Sequence, residues 1–139
     1  MPKLKAYSLI EMMVVIGLIC LLMQLLRPSY EGLIKKTRYT EILQALGPMK
    51  LSVVMCYMHK GSLRQCQSGI SGIEPIVHDH VVKLIGKIEV LPGGVIHAVP
   101  KPLHGFLRSD DLMLTPYVYS GGLRWKLSGG AVEKGYVQA

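Results

Sequence analysis

Between Leu9 and Leu26, eighteen residues carry one charge, Glu11, and one side-chain amide, Gln24. At about 1.5 Å per helical residue such a run spans roughly 27 Å, enough for the hydrocarbon core of a bilayer. From Tyr30 onward the apolar positions change to a helical spacing: Tyr30, Leu33, Ile34, Tyr39, Ile42, Leu43, Leu46, Met49, Val53, Cys56 and Tyr57. Glu31, Lys35, Lys36, Arg38, Glu41, Gln44 and Lys50 fall mostly on other faces, so the stripe is expected to press on a core. The two patterns predict one long helix over 7–58, with its membrane-spanning part at 9–26. Pro28 removes a backbone donor and should kink or locally melt that helix. Gly47-Pro48 predicts a second kink, or a helix that restarts at Pro48.

Beyond the helix, residues 59–139 read as a loop followed by a sheet. Gly61, Ser62, Ser68, Gly69, Ser71, Gly72 and Pro75 punctuate an irregular stretch up to Val82. Four strand-like runs follow, at Lys83–Leu91, Val95–Val99, Leu112–Tyr119 and Leu123–Leu127. Pro92-Gly93-Gly94 and Ser120-Gly121-Gly122 lie between pairs of them and predict hairpin turns. Alternation is clear in Leu123-Arg124-Trp125-Lys126-Leu127, which turns Trp125 inward between two bases. Pro116 marks its strand as an edge or a bulged one. The expected class is α+β: a long helix against an antiparallel sheet of about four strands.

Composition adjusts this picture in two ways. At 139 residues, with half of them hydrophobic, the chain has room for one small domain behind one apolar segment. Sixteen Lys/Arg against nine Asp/Glu give a net charge of +7, spread without a long run. A basic balance attracts phosphate backbones and anionic lipids, although scattered cations mostly mean a solvated surface. Of the three cysteines, Cys20 sits in the apolar run as a small hydrophobe. Cys56 and Cys66, ten positions apart in a polar stretch, can close a short loop in an oxidising compartment. One disulfide is expected there, against the alternative of a buried free thiol.

The start of the chain narrows the reading. Lys3 and Lys5 precede the apolar run with no acid beside them, which favours a cytoplasmic N-terminus. A cleavable secretory signal has the same shape but needs small residues after the run, and here the run ends Gln24-Leu25-Leu26-Arg27-Pro28. A plain signal anchor fits the hydropathy and leaves Glu11 without a purpose, although a carboxylate costs about 2.5–3.5 kcal/mol at the centre of a span. Ala6, Tyr7, Ser8, Leu9, Ile10 and Glu11 together form a small residue, an aromatic, a hydroxyl residue, two aliphatics and a glutamate. This constellation resembles the class III signal of type IV pilins and pseudopilins.

The resemblance implies that residues 1–6 are a leader, cut between Ala6 and Tyr7 by prepilin peptidase. The mature chain would then hold fourteen Lys/Arg against nine Asp/Glu, a charge of +5. It further implies N-methylation of Tyr7 and pairing of Glu11 with the terminal amine of a neighbouring subunit during assembly. The family usually carries Gly where this chain has Ala6, and Phe where it has Tyr7. Pro28-Ser29-Tyr30 is a second match, and Leu114-Thr115-Pro116 with a Trp strand after a Gly-Gly turn extends the likeness more weakly into the sheet. Many family members close their C-terminal region with a disulfide; here no cysteine follows Cys66, so a receptor-binding loop there is not carried over.

No nucleophile motif, phosphate loop or paired-cysteine zinc spacing occurs, so neither catalysis nor a cofactor is expected. The histidines are His59, His78, His80, His97 and His104. His78-Asp79-His80 could present two imidazoles on one face, but without a third ligand these are surface histidines. Asp110-Asp111 after Ser109 reads as a turn rather than a calcium loop. The function implied by the resemblance is structural. It is that of a pilus subunit held singly across the inner membrane, delivered by an assembly platform into an extracellular filament of like subunits. Such filaments serve adhesion, twitching motility and DNA uptake, with DNA or a host surface as partners. A minor or competence pilin, or a pseudopilin, that primes assembly or binds DNA is the near alternative. A membrane-anchored periplasmic binding module is the distant one, and Glu11 separates it, because a mere anchor gains nothing from that carboxylate.

Overall fold

The computed structural model describes residues 7–74, 83–103, 105–120 and 122–138, apart from the side chains of 27–29. The elements are α1 (Leu9–Ala45), α2 (Gly47–Lys60), β1 (Ile85–Leu91), β2 (Val95–Pro100), β3 (Leu112–Tyr119), β4 (Gly122–Ser128) and a short α3 (Gly130–Glu133). The sheet is antiparallel in the order β1-β2-β3-β4. This is an α+β, pilin-like arrangement. The chain forms two compact units, Met1–Ile34 and Lys35–Ala139.

In the first unit the apolar run is helical and outside any core. In the second, Tyr39, Ile42, Leu46, Met49, Val53 and Cys56 recur in alternating steps of three and four, and all are at most 4% exposed. Such spacing keeps one face of a helix turned to one side. The stripe runs on through the junction at Gly47-Pro48. Leu46 joins α1 to α2 as a turn, bonding through its amide to Ile42 O (3.2 Å) and through its carbonyl to Lys50 N (3.0 Å). Pro48 falls in the first turn of α2, where its missing N–H is tolerated. The single helix expected over 7–58 is therefore two helices, the second running to Lys60. Gly61 ends it in the left-handed conformation (φ 66°), its amide bonded to Tyr57 O at 2.8 Å.

A further difference concerns the lower part of the stripe. Tyr30, Leu33 and Ile34 were expected in the core on spacing alone, but they are 65%, 61% and 36% exposed. Helical periodicity identifies an apolar face without saying what covers it. Cys56 and Cys66 form the expected disulfide, with Cα atoms 5.9 Å apart, and both are buried. The loop it closes is tied onward to the sheet: Ser68 N donates to Val90 O (2.9 Å), and Val90 N donates to Ser68 Oγ (2.8 Å).

The inner face of the sheet supplies Ile88, Val90, Ile96, Ala98, Leu112 and Leu114, which join the helical stripe in one core. The two hairpin turns lie where the glycine clusters predict, with Leu91 opposite Val95 and Tyr119 opposite Gly122. Trp125 is partly buried against the core, and Arg124 and Lys126 point outward, as the alternation requires. β3 is interior only over its first three residues: β2 pairs with Leu112, Met113 and Leu114 alone. Pro116 lies beyond that pairing, where no β2 carbonyl needs its missing donor.

Candidate assembly site

Ser8 opens α1 through its carbonyl, which accepts from Glu11 N (3.0 Å) and Met12 N (3.3 Å). Glu11 thus stands in the first helical turn, where its carboxylate complements the positive end of the helix dipole. Tyr7, just before, is 74% exposed, and Ala6 lies outside the described residues. Between them and the globular unit, Leu9–Leu26 has a mean hydropathy of 2.5 and none of it is buried. Its large aliphatic side chains range from 45% exposed at Val15 to 75% at Leu25. Covering each such side chain is worth about 1.5–3 kcal/mol. A cylinder of this kind demands lipid or other apolar helices around it, and by length and composition it can cross a membrane. Cys20 is exposed on it with the other apolar side chains. Pro28, where the kink is expected, belongs to the residues whose side chains are not described, as His78, Asp79 and His80 lie outside the described set altogether.

The globular unit carries two polar clusters that local sequence patterns did not disclose. Asp110 is 1% exposed and makes an ion pair with Lys134, while its Oδ2 accepts from Leu107 N at 3.0 Å. Burial alone would raise its carboxyl pKa; the Lys134 and Leu107 hydrogen bonds outweigh that and hold it below the usual range. Lys134 is correspondingly raised, chiefly by its bond to Asp110. The Tyr39 hydroxyl donates to Asp110 O at 2.5 Å, and burial first, then the nearby Asp110 charge, pushes the phenol upward. Tyr39 stacks on Tyr136 (5.8 Å) and meets Phe106 edge-on (5.4 Å), with Lys35 Nζ lying 5.2 Å over the Tyr136 ring. Through Tyr39 and Asp110 the helix grips both the 105–111 loop and the C-terminal segment.

On the outer face of the sheet, His97 lies between two carboxylates, Nδ1 at 3.4 Å from Glu89 Oε1 and Nε2 at 3.1 Å from Asp111 Oδ2. Glu89 is bonded to Lys87 at 2.6 Å, and this bond is the main cause of its lowered pKa. Asp111 also accepts from Gly130 N (3.2 Å) and, through its backbone, from Ala131 N (3.1 Å), fastening α3 to the start of β3. Only glycine fits at position 130, because a Cβ there would collide with Ser109 O. The turn expected at Asp110-Asp111 lies just before them, over Arg108 and Ser109, closed by Asp110 N on Leu107 O (3.0 Å), and the two carboxylates serve as anchors. No group of three or more His, Cys, Asp or Glu residues suited to a metal ion occurs among the described residues.

Comparison with known proteins follows the same line. No protein-family model matches the chain. It is 37% identical over 73 residues to prepilin peptidase-dependent protein D of Escherichia coli (strain K12), covering 52% of this chain and 50% of the relative. It is 33% identical over 75 residues to type IV pilus subunit protein TapA of Aeromonas hydrophila, covering 54% of this chain and 53% of the relative. The chain is type IV pilin-like. It spans about half the length of the curated relatives it matches. In a pilin-like chain, the exposed apolar helix and the disulfide-tied globular unit are complementary parts, one lacking a core and the other built around one.

Proposed function

We propose that this chain is a structural subunit of a type IV pilus, stored in the inner membrane and drawn from it into a filament. The observation that carries this reading is the exposed apolar segment Leu9–Leu26 with its single carboxylate, Glu11, in the first helical turn. Prepilin peptidase cuts between Ala6 and Tyr7, and the new terminus at Tyr7 is methylated. Glu11 of one subunit then neutralises the terminal amine of the next. Two charges that are each costly in lipid remove that cost by meeting across an interface. Pro28 gives the helix a place to loosen as it packs. The subunit contact is heterologous and open, which allows one chain type to build a fibre. Adhesion, twitching motility and DNA uptake are then properties of the filament, and the assembly platform and prepilin peptidase are the partners that make it. The names of the two relatives, one dependent on prepilin peptidase and one a pilus subunit, support this reading.

The experiment is Glu11→Val in the native host, with sheared filaments and membranes assayed separately. The variant should remain in the membrane, while its share of the filament falls by about a hundredfold, the ratio that roughly 2.7 kcal/mol of lost pairing implies. Intact mass of the recovered wild-type chain should begin at methylated Tyr7. Normal entry of Glu11→Val into filaments, or a wild-type chain that still starts at Met1, overturns the proposal.

A further inference from the structure

A second surface lies on the globular unit, away from the segment proposed to assemble. β2 pairs with β3 only as far as Leu114, so beyond that point β3 and β4 pair with each other alone, as a two-stranded ribbon. The register of the ribbon sets Thr115 opposite Lys126, Tyr117 opposite Arg124 and Tyr119 opposite Gly122. Side chains alternate along a strand, and Leu112, Leu114 and Pro116 are buried on the inner side. The six paired positions therefore share the outer face. Tyr117 is 46% and Tyr119 56% exposed, with Arg124 and Lys126 exposed beside them.

This face carries rings and positive charge without negative charge. No Asp or Glu occurs between Leu112 and Val132. Glu89 and Asp111, toward the start of β3, are already held by Lys87, His97 and Gly130. Arg124 and Lys126 have no ion-pair partner among the described residues. Opposite Tyr119 stands Gly122, which has no side chain, and Arg124 reaches diagonally over the Tyr119 ring, 4.7 Å from its centroid. That contact holds the guanidinium flat and leaves its outer plane open for stacking. Two residues apart on one strand, the tyrosines are spaced by about 6.8 Å. The ribbon thus presents a row of flat π surfaces with cations along one side.

We infer that this face binds single-stranded nucleic acid. Bases stack on Tyr117 and on the Arg124–Tyr119 pair, while the N–H edge of Arg124 and the Lys126 ammonium take phosphates. Aromatic platforms flanked by cations suit an unpaired strand, because every base offers a π-face and every linkage a negative charge. An acidic peptide would use the cations and leave the rings; a neutral glycan would use the rings and leave the cations. A duplex keeps its base faces inside the stack, so it offers this surface no stacking partner. The surface requires neither filament assembly nor Glu11, so its failure and that of the pilus reading are separable.

The test titrates the full chain, in micelles of a neutral, phosphate-free detergent, into a labelled oligothymidylate of about eight nucleotides, followed by fluorescence anisotropy. The slope of log K against log salt should be about −1.4, the value for two phosphates of a single strand, and Lys126→Gln should bring it to about −0.7. Tyr117→Ala should weaken binding by about tenfold through lost stacking, and Tyr117→Phe should restore it because the ring is kept. These side chains are exposed, and an unchanged near-UV signal from Trp125 certifies the fold of each variant. Glu11→Val, and Arg64→Gln in the exposed loop after α2, should bind as the wild type does. An oligouridylate of the same length separates RNA from DNA, and tighter binding of either upholds the surface. Wild-type affinity in Tyr117→Ala, equal binding of a duplex of that length, or as large a loss in Arg64→Gln as in Lys126→Gln overturns it.

Discussion

Leu18 lies within α1 and Leu46 at the turn between α1 and α2; they are equally greasy, yet Leu18 is 55% exposed and Leu46 is fully enclosed. The difference lies in the pattern around them. Leu18 belongs to a run that is apolar on every side of the helix, so nothing within one small chain could cover it. Leu46 belongs to a stripe repeating every three or four residues, so one sheet face suffices. An all-round apolar helix calls for surroundings supplied from outside the chain, and a striped one calls for a core supplied from within. Tyr30, Leu33 and Ile34 fall between these cases: they are striped but exposed, and in the proposed filament they are the next residues that neighbouring subunits would cover.

The contrast can be tested by stability measurements on the full chain in micelles, following the near-UV signal of Trp125. The largest loss is expected from Leu114→Ala, since this leucine is completely buried at the centre of the sheet; about 3.5 kcal/mol should disappear. Cys56→Ser should cost about 3 kcal/mol by releasing the short loop, and reduction of the wild type should reproduce it. Asp110→Asn should cost about 2 kcal/mol, by weakening the bonds from Lys134 and Leu107. That loss has a pH signature. The folded carboxyl titrates below its unfolded value of about 3.9, so its contribution is full above that pH and fades as pH falls through the lower folded value. The variant should lack this acid slope. At the other end, Leu18→Ala should leave unfolding of the globular unit within about 0.5 kcal/mol of the wild type. A loss there comparable to Leu114→Ala would remove the distinction between the two regions.

Much of the fold was legible because the relevant signals are local. Pro92-Gly93-Gly94 and Ser120-Gly121-Gly122 mark turns by backbone conformation, and the alternation around Trp125 reports one covered sheet face. Gly47-Pro48 announced the break between α1 and α2, although spacing alone could not choose a restart over a kink. The polar anchors were not legible. Asp110 and Lys134 are 24 residues apart, and His97 of β2 meets Glu89 of β1 and Asp111 just before β3, so only the folded topology brings them together. Of the candidate site residues, Tyr7 and Glu11 were singled out by position relative to an apolar run, and Cys56 and Cys66 by being paired.

The loop closed by Cys56 and Cys66 has a mechanical consequence. In the filament proposed above, a subunit would be pulled along its length, and a load reaching the stripe from Tyr39 to Cys56 would meet it in shear, with several contacts resisting together. At the far end of that stripe the covalent bridge passes the load to the 61–68 segment, and Ser68 passes it on to Val90, near the end of β1. Tension therefore reaches the sheet through a sulfur bond followed by a pair of hydrogen bonds. The α2 helix cannot be drawn away from the loop beyond the bridge without breaking a covalent bond. The reduced chain should extend at lower force than the oxidised one, with the added length beginning in the segment between the two cysteines.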